Sequence, residues 1–269
     1  MNTHTSAGPT ILFLSHGGGP MPLLGDESHQ DMVNNLKDIA GTLPKPSAIL
    51  VISAHWEENQ PTITNGKAPS LIYDYYGFPE ESYHIQYPAI GEPQLAHTIY
   101  QQLKKDGINA KQDEQRGFDH GLFVPLKIMY PEADIPCIQL SLMNNLNPAE
   151  HIKLGESLAK TANDDLLIIG SGFSFHNMKA FYSASTHDIK TKNEAFEAWL
   201  IDTCSNKTLS EQERTKRLEN WEQAPHARFC HPREEHLLPL HVCYGAAKRA
   251  CSQYFELTIL NKKASVYRW

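Results

Sequence analysis

The sequence predicts an α/β fold: a single domain with a central, mostly parallel or mixed sheet flanked by helices, and an active site at the C-terminal ends of the strands. Two observations predict it. Short β-branched or Leu-rich apolar runs recur along the 269 residues, and stretches with helical spacing and fitting end signals separate several of them. Such alternation is the pattern of strands joined by crossover helices.

In chain order, the apolar runs at residues 11–14, 48–53, 135–142, 166–169 and 255–260 read as buried strands. Helical spacing covers 29–40, 94–105 with Gly107 just beyond, and 149–162 after Pro148. Residues 61–91, with "IYDYYGFPEESYHIQYPAIG" at their core, are rich in Pro, Tyr and Gly without a sustained period and read as long ordered loops over the sheet. Residues 194–200 and 211–221 read as two exposed helices flanking "CSNKTLS". Residues 234–249 read as a helix that Pro239 either kinks or starts.

Composition narrows the function classes. With 41% hydrophobic and 20% charged residues the chain can bury a sizeable core, and residues 1–269 are expected to form one catalytic domain. The five cysteines (Cys137, Cys204, Cys230, Cys243 and Cys251) are odd in number and never form a C-x-x-C pair, which disfavours both a secreted scaffold and a thiolate zinc site. A net charge of -7 leaves no basic footprint for nucleic acid or for an anionic membrane. The polar start "MNTHTSAGPT" does not read as a signal peptide, and no window has the length of a membrane span, so a cytoplasmic location and small-molecule partners are expected.

The fourteen histidines carry more information, because neutral imidazole is the commonest metal ligand and the usual acid or base near neutral pH. His16 follows "ILFLS", His55 follows "AILVISA", His120 sits in "RGFDHG", and His176 lies in "LLIIGSGFSFHN". In an open α/β sheet, residues just past strand ends converge in space. These four are therefore expected to share one mouth, although each alone reads equally well as a solvent-bonded histidine at a strand end. Gly17, Gly18 and Gly19 let the chain turn beside His16 and leave room for a bound species.

Two rival motifs fail on spacing. The glycine turn lacks the Lys-Ser/Thr of a phosphate loop and the spacing of a dinucleotide fingerprint. "GSGFS" is not G-x-S-x-G, so Ser171 and Ser174 read as turn formers rather than nucleophiles. The cluster "HPREEHLLPLHV" offers His231, His236 and His241. Five residues along a helix rotate a side chain by roughly 140° net, so the trio cannot all face one point. One of them is expected to be functional, or Glu234 or Glu235 replaces it in a two-His, one-carboxylate triad; spacing leaves that choice open.

Taken together, "FLSHGGGP", "ISAHWE", "YDYYGFPEESYHIQYPA", "RGFDHGLFVPLKIMYP", "DIPCIQLSL", "GSGFSFHN" and "EEHLLPL" resemble the DOPA-dioxygenase type of class III extradiol ring-cleaving dioxygenases, in order over most of the chain. The resemblance implies that His16, His55 and His236 bind a catalytic metal, His236 because it precedes "LLPL". It implies that His120 acts as acid/base over the substrate. His176 is implied as a further site histidine that assists proton transfer or serves as a fourth metal ligand. Two features depart from the family: three consecutive glycines follow His16, and residues 185–229 carry no family motif.

The activity so implied is opening of the ring of a catechol-type aromatic, DOPA-like or related, with O2 as co-substrate. Fe(II) is the expected cofactor; three neutral imidazoles suit Zn(II) in the same site as well. Tyr73, Tyr75, Tyr76, Phe78 and Tyr83 are candidates to line the cavity, or to pin the loops. Arg116 and Lys127 are candidates to meet a substrate carboxylate, or to stay ion-paired or solvated. A zinc-dependent hydrolase on the same histidines and a non-catalytic metal-binding member of the superfamily are the alternatives. Oligomeric state is left open.

Overall fold

The computed structural model describes residues 8–161, 165–184 and 186–269. The N-terminal heptapeptide, Ala162 at the expected end of the third helix, and Ser185 lie outside the described residues. The chain runs β1 (Thr10–Ser15), α1 (Gln30–Thr42), β2 (Ala48–Glu58), β3 (Thr62–Thr64), α2 (Pro93–Lys105), β4 (Lys111–Asp113), α3 (His120–Met129), β5 (Cys137–Met143) and α4 (Pro148–Leu158). It continues through β6 (Leu166–Gly172), α5 (Met178–Phe181), α6 (His187–Ser205), α7 (Glu211–Glu219), α8 (Ala227–Cys230), α9 (Leu238–Ala247), β7 (Gln253–Ile259) and β8 (Lys262–Arg268). The α/β prediction and the mixed sheet flanked by helices hold.

All eight strands form one sheet in the order β4-β3-β5-β2-β6-β1-β8-β7. Its centre, β5-β2-β6-β1, is parallel, so these four strands deliver their C-terminal ends to one edge. Alternation sorts their side chains between two cores. Ile11, Phe13, Leu50, Ile52 and Ile168 face the α2, α4 and α9 side, whereas Leu12, Leu14, Val51, Leu167 and Ile169 face the α1 and α3 side. Each such side chain removed from water stabilises the fold by about 1.5–3 kcal/mol.

Several expected boundaries move, and each for a physical reason. The second strand does not stop at Ser53 but continues to Glu58, with its register against β5 broken between Ile52 and Glu57. The two helices expected to be exposed are half-buried: α6 is longer than expected and sinks Phe196, Glu197, Leu200 and Cys204, and α7 sinks Arg214 and Leu218. The last helix starts only at Leu238, where Pro239 occupies its first turn, where the absent N–H has no partner to lose. His231 and His236 therefore precede that helix, and the rotation argument built on a helix over 234–249 does not apply to them.

Six elements were not anticipated, among them the four-residue helices α5 and α8. α3 is buried on nearly every side and contains Pro125, so it has no polar face to create a period. β3 and β4 have only three residues each. β8 pairs with β7 through Leu260 and Asn261, both at positive φ, without the usual glycine; the Leu260 N–H is held instead by the Ser28 carbonyl at 3.1 Å. Among the described residues no helix is long and apolar enough to cross a membrane.

Candidate metal centre

β1 ends at Ser15, and the next backbone N–H, of His16, donates to the Gly172 carbonyl at the end of β6 (3.2 Å). One residue further, the Phe173 N–H donates to the His236 carbonyl at 2.9 Å. Gly172 is needed there because a Cβ would overlap that carbonyl. The end of β6 thus ties down the backbones of two histidines 220 residues apart, while His55 projects from the irregular part of β2.

The three imidazoles meet through the same ring atom. His55 Nε2 lies 3.2 Å from His16 Nε2 and 3.3 Å from His236 Nε2. The tautomers of the outer two follow from their other nitrogens. His16 Nδ1 faces the Gly17 carbonyl at 2.9 Å and His236 Nδ1 faces a Glu235 carboxylate oxygen at 2.9 Å. Neither oxygen can donate, so both Nδ1 atoms carry the proton and both Nε2 atoms present lone pairs. His55 Nδ1 looks toward Asp74 Oδ2 at 3.7 Å.

Burial, then the neighbouring histidines, holds all three rings neutral: His16 and His55 are pushed well below the usual histidine range and His236 down to about 3. The lone pairs of His16 Nε2 and His236 Nε2 both point at His55 Nε2, which has at most one proton to give, and a cation among the three would satisfy them all. A set of three imidazole nitrogens within 4.8 Å of one another is the donor chemistry of a mononuclear site for a borderline divalent ion. The residues present fit a metal.

His120 opens α3 and packs its ring 3.9 Å from that of His55 and 5.1 Å from that of His16, centroid to centroid. Asp74 holds it twice, accepting from the His120 backbone N–H at 3.0 Å and from Nδ1 at 2.8 Å. Burial alone would raise the Asp74 carboxyl, but the His120 contacts outweigh it and keep the group ionised. Behind His120, the buried Asp119 carboxylate accepts from Ser53 Oγ (2.8 Å), Arg116 Nη2 (3.0 Å) and the Gln139 amide. Ser53 Oγ in turn accepts the His55 N–H at 3.2 Å, which joins the two histidine-bearing segments.

His176 stacks on His236 with centroids 3.5 Å apart and planes within 15°. Its Nδ1 lies 3.5 Å from the Glu235 carboxylate, so it groups with Glu235 and His236 rather than with His16 and His55. Burial pushes Glu235 up, but His176 and His236 overcome it and hold the carboxyl well below its usual range. Glu235 thus accepts from His236 Nδ1, while Nε2 of the same ring faces His55. Arg233 closes this edge with a two-pronged pair to Glu57 at 2.5 and 2.6 Å.

Other candidates lie elsewhere. His241 is buried between the Leu237 and Leu218 carbonyls (3.2 and 2.9 Å), and His231 faces the Ser174 carbonyl at 2.7 Å. Glu234 pairs with Arg228 at 2.5 Å. Ser171 Oγ donates to the Gly121 carbonyl, and Ser174 Oγ accepts the Ser265 N–H. Arg116 is ion-paired and lies over the Trp56 ring at 4.3 Å; Lys127 donates to the Gln86 carbonyl at 2.9 Å. Tyr73 and Tyr75 spend their hydroxyls on the Ile85 and Ser82 carbonyls, so they pin the loop. Tyr75 also packs edge-on to His120, with ring centroids 5.8 Å apart, while Tyr76 is 92% exposed.

Asp74 is the main residue that sequence reasoning missed. It sits inside "IYDYYGFP", where the aromatics drew attention and a lone Asp in a loop has no spacing that marks it. A pairing question, namely which carboxylate orients each candidate histidine, would have raised it.

Known proteins resemble this chain in sequence and in fold. Residues 3–264 match the family described as the catalytic LigB subunit of aromatic ring-opening dioxygenase. A 4,5-DOPA dioxygenase extradiol of Beta vulgaris is 38% identical over 236 residues, covering 87% of this chain and 85% of that protein. Dioxygenase tasH of Hapsidospora irregularis is 37% identical over 254 residues, covering 88% and 78%. The crystal structure of an uncharacterized protein from Escherichia coli K12 superposes with a TM-score of 0.75 at 28% identity, covering 96% of this chain and 99% of that one. Matched along almost its whole length in sequence and fold, the chain belongs to the family of the catalytic LigB subunit of aromatic ring-opening dioxygenases.

Proposed function

We propose that residues 1–269 act as one catalytic domain, an extradiol dioxygenase that opens a catechol-type ring, DOPA-like or related, with O2 as co-substrate. His16, His55 and His236 would hold the metal, Fe(II) in the active enzyme. The observation that carries this reading is the meeting of three neutral imidazole Nε2 atoms within 3.3 Å contacts, beside a fourth imidazole tethered to a carboxylate. The names of the relatives, DOPA dioxygenases and a dioxygenase, support ring opening over hydrolysis.

When bound, the metal supplies open coordination positions at which a diol and O2 are brought together. The chain supplies the proton chemistry. Asp74 accepts from His120 Nδ1 at 2.8 Å, which leaves His120 Nε2 as the base for a substrate hydroxyl. The same carboxylate then stabilises the imidazolium that results, as an orienting acid does in a catalytic triad. His176 Nδ1 faces Glu235, so its Nε2 is available to exchange a second proton. Tyr75, packed edge-on to His120, offers an apolar wall to an aromatic ring.

The test is anaerobic reconstitution with Fe(II), followed by O2 uptake and absorbance changes on a panel of catechols including DOPA and protocatechuate. Uptake with at least one catechol is expected. No uptake with any catechol refutes the reading, and turnover of an ester or amide without O2 on the zinc-loaded chain replaces it with a hydrolase.

A further inference from the structure

The glycine turn after His16 is braced from behind by a second, unanticipated histidine. His29 is fully buried and lies in the 3-10 turn that leads into α1. Its Nε2 faces the Gly18 N–H at 2.9 Å. A peptide N–H can only donate, so Nε2 holds a lone pair and Nδ1 holds the proton, 2.8 Å from Asp26 Oδ1. Asp26 is fixed in turn by the Ser28 N–H at 3.0 Å and by the Ser28 hydroxyl.

The far side of the same peptide group is the Gly17 carbonyl, which accepts from His16 Nδ1 at 2.9 Å. Donors and acceptors therefore run one way, from His16 through the Gly17–Gly18 peptide to His29 and on to Asp26. Hydrogen bonds in such a chain polarise one another and strengthen each link. We propose that His29, oriented by Asp26, is a positioning residue that fixes the ring orientation and tautomer of His16 through the Gly17–Gly18 peptide, and so sets the affinity of the metal centre. This inference rests on His16 being a metal ligand.

The glycines differ in how closely they bear on the relay. Gly17 has φ +82°, and a Cβ there would lie 2.5 Å from Pro22 and 3.0 Å from the His29 ring. At Gly18 a Cβ would lie 3.4 Å from His29 Nε2, an ordinary contact. Gly19, at φ +57°, faces the Phe78 ring at 3.2 Å and so lets the aromatic loop close over the turn.

The test uses the full chain without metal, and Co(II) as the probe. Long-range proton–nitrogen correlation spectra should show His16 and His29 as Nδ1–H tautomers. His29→Leu, which strands the Gly18 N–H, should mix the His16 tautomers and weaken Co(II) binding about 10- to 100-fold, the usual effect of losing a ligand's outer partner. His29→Gln, whose amide oxygen can accept that N–H, should recover most of the loss. A His29→Leu protein with the original His16 tautomer and Co(II) affinity overturns the proposal. If that variant does not fold, Asp26→Asn decides, with weakened Co(II) binding supporting the relay and unchanged binding refuting it. His55→Ala, outside the relay, tests the centre itself. Undiminished Co(II) binding by His55→Ala, or none by the unmodified chain, removes the metal reading, and the tautomer spectra then decide the relay without metal.

Discussion

Replacing Asp74 by asparagine keeps the size of the side chain and removes its charge. The carboxylate accepts two bonds from His120, at 3.0 Å from the backbone N–H and 2.8 Å from Nδ1. Both bonds end on Oδ1, so an asparagine oxygen placed there can keep them, while its amide nitrogen would replace Oδ2, which faces His55 Nδ1. The larger effect falls on the protonated state of His120. A unit charge pair at 2.8 Å is worth about 6 kcal/mol at an effective dielectric of about 20. The Asp74 side chain is 22% exposed, so water screens part of this and about 3–4 kcal/mol is a reasonable share for the proton-transfer step. At about 1.4 kcal/mol per decade, kcat should fall by two to three orders of magnitude. Because Asp74 stands 3.7 Å from His55 Nδ1, metal affinity should fall much less, by about tenfold or under. The assay is O2 uptake by the Fe(II)-loaded variant at saturating catechol, with bound metal measured on the same sample. An Asp74→Asn protein that keeps full kcat refutes the role given to Asp74. One that loses its metal as completely as a ligand variant would reassign Asp74 to the metal centre.

Three further outcomes separate site from scaffold. His236→Ala should empty the metal site with little change in the fold, whereas His241→Ala should retain metal and lose about 1–3 kcal/mol of stability, because the neutral ring donates one proton and one of the two buried carbonyls loses that donor; metal content and urea midpoints distinguish them, and the reverse pattern would exchange their assignments. Gly172→Ala should displace the His236 carbonyl, costing about 1–3 kcal/mol and weakening Co(II) binding; unchanged binding would show that the end of β6 does not hold His236 in place. Glu197 is buried against Ser265 at 2.5 Å, and burial raises its carboxyl to about 7. The folded chain therefore holds this proton more tightly than the unfolded one, and stability should fall as pH rises from about 4.5 to about 7, by about 3 kcal/mol in all. Glu197→Gln should flatten that slope in denaturation curves at pH 5 and pH 8, and an identical slope in variant and parent would remove Glu197 as its cause.

Elements with a strong local period were legible from residue order, because a strand or helix that buries one face must repeat its apolar residues at fixed intervals. The runs that became β1, β2, β5, β6 and β7 were found this way, as were α1, α2 and α4. α3 escaped because it is buried on nearly all sides, and β8 because its turn at Leu260 and Asn261 is held by a contact with Ser28, 232 residues away in the chain for Leu260. Periodicity reports a boundary between core and water; it is silent where an element has no wet face or depends on a distant partner.

The same division applies to the site. Strand-end position and chemistry were enough to nominate His16, His55, His120 and His176 from the chain alone, since parallel strands of one sheet present their ends on one side. Choice among His231, His236 and His241 was not available from spacing, because it turns on which backbone lies against the end of β6, and only His236 has its carbonyl on Phe173 N–H. The partners that set tautomers, Asp74 for His120, Glu235 for His236, and His29 with Asp26 for His16, are likewise fixed by packing. A hydrogen bond needs two atoms within about 3 Å, and for pairs such as Asp74 and His120, 46 positions apart, nothing short of the folded chain brings them together.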